Sequence, residues 1–170
     1  MPRNQSIAKV RAGQKAPDFE LATLDGNRLS LADALARGPV VAAFFKISCP
    51  TCQFTLPFLE RLHKAYRGER VTFWAISQDS AADTKKFCRQ YGVTFPVLLD
   101  EDGYPVSNDY GLTNVPTYYL IAPDGKVRAD SIGFTKKTLE EISEELARFL
   151  GRAAAQVFLP GEIVPDSKPG

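Results

Sequence analysis

The sequence predicts an α/β fold with a mixed sheet, and three patterns carry this prediction. Two continuous apolar runs of strand length, 39–45 and 71–77, are each followed by a segment whose apolar residues recur at helical spacing. Residues 115–133 contain two further strand-like stretches joined by Asp124–Gly125, a dipeptide typical of hairpin turns. Residues 136–151 then form an amphipathic helical pattern that ends in glycine. Alternating strands and helices, followed by a hairpin and a closing helix, are typical of an α/β sandwich.

For the first half of the chain, the sequence predicts a hairpin, then a strand, then a helix. Short apolar runs flank an Asp–Gly turn within residues 13–31 and predict a small N-terminal β-hairpin. The run 39–45 predicts a strand buried between neighbouring strands, because it lacks polar alternation. From Pro50 the pattern becomes helical until Gly68, with apolar positions at Phe54, Phe58, Leu59, Leu62 and Tyr66.

The second half continues this alternation and ends in a tail. Residues 71–77 predict a second buried strand, and 80–92 a helix between an N-cap serine and a terminating glycine. Residues 95–100 predict a third strand or its approach. We assign residues 1–151 to a single domain and 152–170, which carry three prolines, to an extended or disordered C-terminal tail.

Charge and hydropathy exclude two classes of partner. Lys and Arg total 21 against 20 for Asp and Glu, and no basic run is present, so we expect no nucleic-acid partner. No run of 18 apolar residues suggests a transmembrane helix, and we expect no membrane partner. The N-terminal residues carry positive charge without the apolar core of a signal peptide, so the sequence predicts an uncleaved, cytoplasmic protein.

The pair Cys49 and Cys52 is the principal candidate for chemistry, because it follows a predicted strand and begins a predicted helix. A structural disulfide between them would close a very short loop and remove little entropy from the unfolded chain. Zinc requires four ligands, and only Cys88 and His63 remain as soft candidates. His63 would lie on the order of 16 Å from Cys52 along the helix. We therefore expect a redox-active pair that needs no metal or organic cofactor.

The position of the pair predicts different roles for its two thiols. Cys49 falls at the N-cap, where free N–H groups and the helix dipole favour a thiolate. Pro50 suits the first helical turn, and Lys46 could add positive charge. Cys52 lies one turn into the helix and should be more shielded. These positions predict that Cys49 attacks a substrate disulfide and that Cys52 resolves the mixed disulfide.

The order of motifs resembles that of thioredoxin-fold redoxins, in particular the TlpA/ResA-like thiol–disulfide oxidoreductases within the alkyl hydroperoxide reductase/thiol-specific antioxidant grouping. The likeness covers most of residues 13–150 and rests on "GQKAPDFEL", "VVAAFFKISCPTC", Pro57, "YGVTFPVLLDEDG" and "VPTYYLIAPDGKV". The resemblance implies a thioredoxin-like fold, with a central mixed sheet flanked by helices and an N-terminal β-hairpin extension. It also implies a cis peptide bond before Pro116, with Val115 and Pro116 facing the cysteines and binding substrate.

The sequence departs from the family pattern near the cysteines. Ser48 replaces an aromatic residue, and Pro50 and Thr51 form an uncommon dipeptide for this branch that we expect to shape the site. Ala43 and Thr55 stand where related proteins carry acidic residues, so no carboxylate is evident for proton transfer to or from Cys52.

Two alternative functions remain open at this level. Peroxiredoxins resemble one another in a P-x-x-x-T-x-x-C motif, but the matching positions before Cys49 and Cys52 carry neither the proline nor the threonine. A non-enzymatic thioredoxin-fold binding module would leave the cysteine pair inert. The predicted partners are a disulfide-containing protein or small thiol substrate and an upstream thiol reductant. Cys88 is interpreted as a buried structural thiol, with a second resolving cysteine as the alternative.

Overall fold

A computed structural model describes residues 10–170 of the chain. Its strands are β1 (Glu20–Ala22), β2 (Arg28–Ser30), β3 (Val40–Phe45), β4 (Thr72–Ser77), β5 (Val97–Leu99), β6 (Thr117–Ile121), β7 (Val127–Ile132), β8 (Phe134–Thr135) and β9 (Ser167–Lys168). Its helices are α1 (Leu31–Leu35), α2 (Pro50–Ala65), α3 (Ala81–Tyr91), α4 (Pro105–Asp109) and α5 (Lys136–Leu150). Residues 1–9, part of the predicted domain, lie outside the described residues.

A five-stranded mixed sheet with the order β5-β4-β3-β6-β7 forms the centre of the fold. β3 pairs in parallel with β4 and antiparallel with β6, and all six of its residues are buried. This burial on both faces explains why residues 39–45 form a continuous apolar run. The predicted mixed sheet and the hairpin of β6 and β7 are confirmed, as is the N-terminal hairpin of β1 and β2.

The sheet has an apolar core on each face. One core joins β3 and β4 to α2, α3 and α5, and α5 contributes Leu139, Ile142 and Leu146 to it. In the other core, Trp74 and Tyr119 pack against residues 10–21, α1 and α4. Helices therefore cover both faces, and the carboxyl end of β3 is left at the rim of the sheet, where α2 begins.

α2 begins at the cysteine pair for local reasons. Cys49 is the N-cap in extended conformation, and its sulfur accepts a hydrogen bond from the backbone N–H of Cys52. Pro50 occupies the first helical position, where a missing N–H leaves no helical hydrogen bond unmade. Pro57 lies inside the helix, which ends at the C-cap Tyr66, slightly before the predicted end at Gly68.

Among the described residues are two short helices that the sequence did not predict. α1 is capped by Ser30, whose side chain accepts from the N–H of Asp33. α4 is held by the buried carboxylate of Asp100, which accepts from the N–H groups of Val106 and Ser107 at 3.0 and 2.8 Å. Helices of five residues show too little periodicity to be recognised from apolar spacing.

Residues 152–170 pack along α2 in the structure. Val157 and Phe158 are buried in the core on the α2 face of the sheet, and β9 pairs antiparallel with β8. The part of the tail from 166 to 170 is exposed and extended. The boundary between domain and tail at residue 151 stays a prediction.

Within residues 10–170, no helix combines the length and the apolar character needed to cross a membrane.

Candidate active site

Cys49 lies at the N-terminus of α2 with its sulfur held by backbone groups. Its Sγ accepts a hydrogen bond from the N–H of Cys52 at 3.2 Å. Its S–H donates to the carbonyl oxygen of Val115 at 3.4 Å. The residue is partly exposed and lines an open cleft. One N–H donor and one carbonyl therefore fix the sulfur at the surface.

Cys52 is fully buried one turn further along the helix. Burial raises the pKa of its thiol, and the hydrogen bond with Cys49 and the negative charge of Asp79 raise it further. A backbone hydrogen bond at Lys46 acts in the opposite direction. Cys52 is thus held as a neutral thiol beside an accessible partner, which is the asymmetry that the sequence predicts.

Val115, which is followed by Pro116, contacts the cysteine pair from the segment before β6. The Val115–Pro116 peptide bond is cis, which confirms the expectation from the resemblance. Pro116 is buried just before β6, and Val115 presents its carbonyl to Cys49. The predicted substrate-binding role of these two residues stays a prediction, although the structure brings the Val115 carbonyl to the reactive sulfur.

The three residues expected to shape the site also lie around Cys49. Lys46 and Pro50 line a cleft of about 490 Å³ beside the sulfur. The Lys46 ammonium lies over the ring of Tyr104, 5.4 Å from its centroid. Thr51 points to the tail instead, since its hydroxyl donates to the carbonyl oxygen of Pro169 at 2.6 Å. Their functional roles stay predictions.

Asp79 is a site residue to which sequence reasoning assigned no role. It follows β4, and its Oδ2 accepts a hydrogen bond from the N–H of Ile47 at 2.8 Å. This contact fixes the loop that leads from β3 to Cys49. Its position in the sequence could have indicated this role. Asp79 follows β4, which runs parallel to β3, and parallel strands end at the same edge of a sheet.

Gln78, also without an assigned role, lines the same cleft. Its amide donates to the hydroxyl of Ser107 at 2.9 Å, and that hydroxyl donates to the buried carboxylate of Asp100 at 2.7 Å. This chain of hydrogen bonds connects the floor of the cleft to the capping of α4.

The remaining cysteine and the histidine lie away from this constellation. Cys88 is buried on α3 in the core, and burial raises the pKa of its thiol to about 11. His63 packs beside Phe73 and Phe95, with ring centroids 5.6 and 5.5 Å away. Within residues 10–170, no three His, Cys, Asp or Glu side chains gather as a metal-binding group.

We expect Cys88 to stay a free thiol when the protein is oxidised. Its raised pKa leaves it protonated near neutral pH, and its thiolate fraction rises only as the pH approaches about 11. Alkylation of the oxidised, folded protein at pH 7 should therefore label Cys88 slowly, and labelling should become complete after denaturation. Peptide mass spectrometry would show the label on Cys88 and a disulfide between Cys49 and Cys52. A disulfide that includes Cys88 would overturn its structural assignment.

The sequence profile of the AhpC/TSA family matches residues 12–130. Among curated proteins, the chain is 34% identical over 137 residues to the thioredoxin-like protein YneN of Bacillus subtilis, covering 78% of each chain. It is also 34% identical over 134 residues to the thiol-disulfide oxidoreductase ResA of Bacillus thuringiensis, covering 78% of this chain and 76% of that one.

A solved structure agrees with these relatives. A Chlorobium tepidum structure described as a thiol:disulfide interchange protein DsbE matches with a TM-score of 0.73 and 27% identity, covering 84% of this chain and 100% of the other. The fold is therefore thioredoxin-like, and the cysteine pair begins α2 at the rim of the sheet. With the family profile covering more than half of its length, the chain belongs to the AhpC/TSA family.

Proposed function

We propose that this protein is a thiol–disulfide oxidoreductase in which Cys49 is the nucleophile and Cys52 the resolving thiol. The observation that carries the proposal is the asymmetry of the pair. Cys49 is accessible and its sulfur accepts a hydrogen bond from an N–H group, whereas Cys52 is fully buried with a raised pKa. The relative named thiol-disulfide oxidoreductase ResA supports the same class of reaction.

The first step is attack by the Cys49 thiolate on one sulfur of a substrate disulfide. The substrate S–S bond breaks, and its electron pair leaves with the other sulfur, which takes up a proton. The product is a mixed disulfide between Cys49 and the substrate. The N–H of Cys52 points at Cys49 Sγ from 3.2 Å, so it is placed to donate a hydrogen bond to the attacking sulfur.

The second step is attack by Cys52 on Cys49 Sγ. Cys52 loses its proton, a Cys49–Cys52 disulfide forms, and the second substrate sulfur leaves as a thiol. Two electrons have then passed from the protein to the substrate, and an upstream thiol reductant restores the dithiol. Burial and the charge of Asp79 oppose ionisation of Cys52, so they keep it protonated until the mixed disulfide lies beside it.

Backbone groups beside Cys49 support a polypeptide as substrate. Val115 places a carbonyl next to the sulfur, and the adjoining cleft of about 490 Å³ is open to solvent. We propose a disulfide-containing protein, or a small thiol compound in its disulfide form, as the substrate class and the cytoplasm as the location. The location rests on the sequence alone.

The proposal is tested by comparing two reactions of the wild-type protein. Reduction of insulin by dithiothreitol should be accelerated, because insulin presents accessible disulfides to Cys49. Hydrogen peroxide should be consumed slowly, since neither cysteine is preceded by the peroxide-positioning proline and threonine. Rapid thiol-dependent peroxide consumption would replace the proposal with a peroxidase, and failure in both reactions would favour a binding module.

A further inference from the structure

The C-terminal segment 155–170 runs along α2 from the C-terminal end of that helix towards its N-terminus. The N–H of Ala155 donates to the hydroxyl of Tyr66 at 3.1 Å. Further along, Arg61 pairs with Glu162 through two contacts of 2.6 and 2.7 Å. The ring of Phe158 packs on the α2 face in the core. These contacts anchor the first part of the segment and direct the chain towards the active site.

The last residues of the segment reach the active site as an extended strand. β9 lies antiparallel to β8, with Lys168 opposite Phe134. The carbonyl of Asp166 accepts from the N–H of Lys136 at 2.9 Å. The carbonyl of Pro169 then accepts the hydroxyl hydrogen bond of Thr51, which lies between the two cysteines in the sequence. The strand therefore ends at the first turn of α2.

Gly170 lies directly against the backbone that faces the reactive sulfur. A Cβ atom at this position would collide with the carbonyl of Val115, the group that accepts the S–H of Cys49. Gly170 also lines the cleft beside Cys49. A Cβ atom on Gly133 would likewise collide with the backbone of Lys168, so the strand is seated closely on both sides.

We infer that residues 166–170 are a self-docked strand that competes with a substrate polypeptide for the backbone beside Cys49. An extended chain that adds to a strand edge is a common mode of peptide recognition, and the strand already uses it here. A disulfide within a polypeptide reaches Cys49 only after residues 166–170 have detached from the site. A small disulfide compound enters through the cleft beside Cys49. The inference rests on the proposed function in one respect: that function identifies the competing molecule as a polypeptide substrate with a disulfide.

The contacts explain how the strand can lift while the rest of the segment stays in place. Residues 166–170 are exposed and contribute no buried side chain. The anchors at Phe158 and Glu162 keep the strand close to the site after it opens. Such a tether maintains a high effective concentration, so the strand competes with dilute polypeptides.

The test removes the strand and keeps its anchors. In a Cys52→Ser background, the full chain is compared with a chain that ends at Pro165. The rate constant for mixed-disulfide formation at Cys49 is measured with a cysteine peptide and with mercaptoethanol, each activated as a 2-thiopyridyl disulfide. The Cys49 thiolate displaces pyridine-2-thione, whose release gives the rate.

Without the strand, the peptide rate should rise about fivefold or more if the strand is docked for most of the time. The mercaptoethanol rate should change less than about twofold, because the cleft is already open. Equal peptide rates for the two chains would overturn the inference, as would equal increases with both reagents. Insulin reduction is measured separately, so failure of the proposed function is distinguishable from failure of the inference.

A point variant covers the case in which the shortened chain does not fold. Lys168→Ala removes the ammonium that lies 4.8 Å from the ring centroid of Phe54 and should raise the peptide rate partially. Lys137→Ala is the matched control, because its side chain is 85% exposed on α5. An unchanged peptide rate in Lys168→Ala, or the same increase in both variants, would contradict a docked strand.

Discussion

Replacing Cys52 by serine is expected to leave Cys49 joined to its substrates in stable mixed disulfides. The first attack needs only the accessible sulfur of Cys49, but resolution needs the buried thiol one turn along α2. Serine keeps the approximate size of the side chain and removes the second nucleophile. Non-reducing gels of the variant incubated with oxidised polypeptides should therefore show adducts that dithiothreitol releases.

Cys49→Ser should form no adduct and should lose at least about 100-fold in the rate of disulfide reduction, because the attacking thiolate is gone. Cys88→Ser is the control cysteine variant, since Cys88 is buried on α3 away from the pair. It should keep the wild-type rate and trap nothing. Adducts that persist in Cys49→Ser would assign the attack to another cysteine and contradict the mechanism.

Phe134→Ala should lower the free energy of unfolding by about 3–5 kcal/mol, as expected for removing a buried aromatic ring. Phe134 is fully buried on β8 and packs against Phe54 and Phe58 of α2, with ring centroids 4.9 and 5.7 Å away. Its ring also contacts Phe158 of the C-terminal segment. Phe134→Ala therefore removes packing contacts of β8 with both α2 and the C-terminal segment.

Urea denaturation monitored by circular dichroism measures this loss. Phe149→Ala is the matched control, because Phe149 on α5 is 46% exposed. The control should change the free energy of unfolding by less than about 1 kcal/mol. Similar losses in both variants would show that the cluster around Phe134 does not hold these elements together.

Elements with strong local signals were predictable from the sequence. The apolar run of β3, the spacing of α2 and the Asp124–Gly125 turn each depend on residues close together in the chain. The position of Cys49 followed from the same signals, because a strand that leads into a helix places the connecting residues at the edge of the sheet.

Features that depend on distant residues were not predictable in this way. Asp79 acts on the Cys49 loop across 32 residues through the N–H of Ile47. β9 is two residues long and pairs with a strand that lies far back in the chain. Neither contact leaves a periodic pattern, since a single hydrogen bond or a two-residue strand constrains too few positions.

The seating of Gly170 against Val115 has a practical consequence for purification tags. Any segment joined after Gly170 begins beside the reactive sulfur, where a close tether gives it a high local concentration. A histidine or cysteine in such a tag would therefore meet the active site far more often than the same group free in solution.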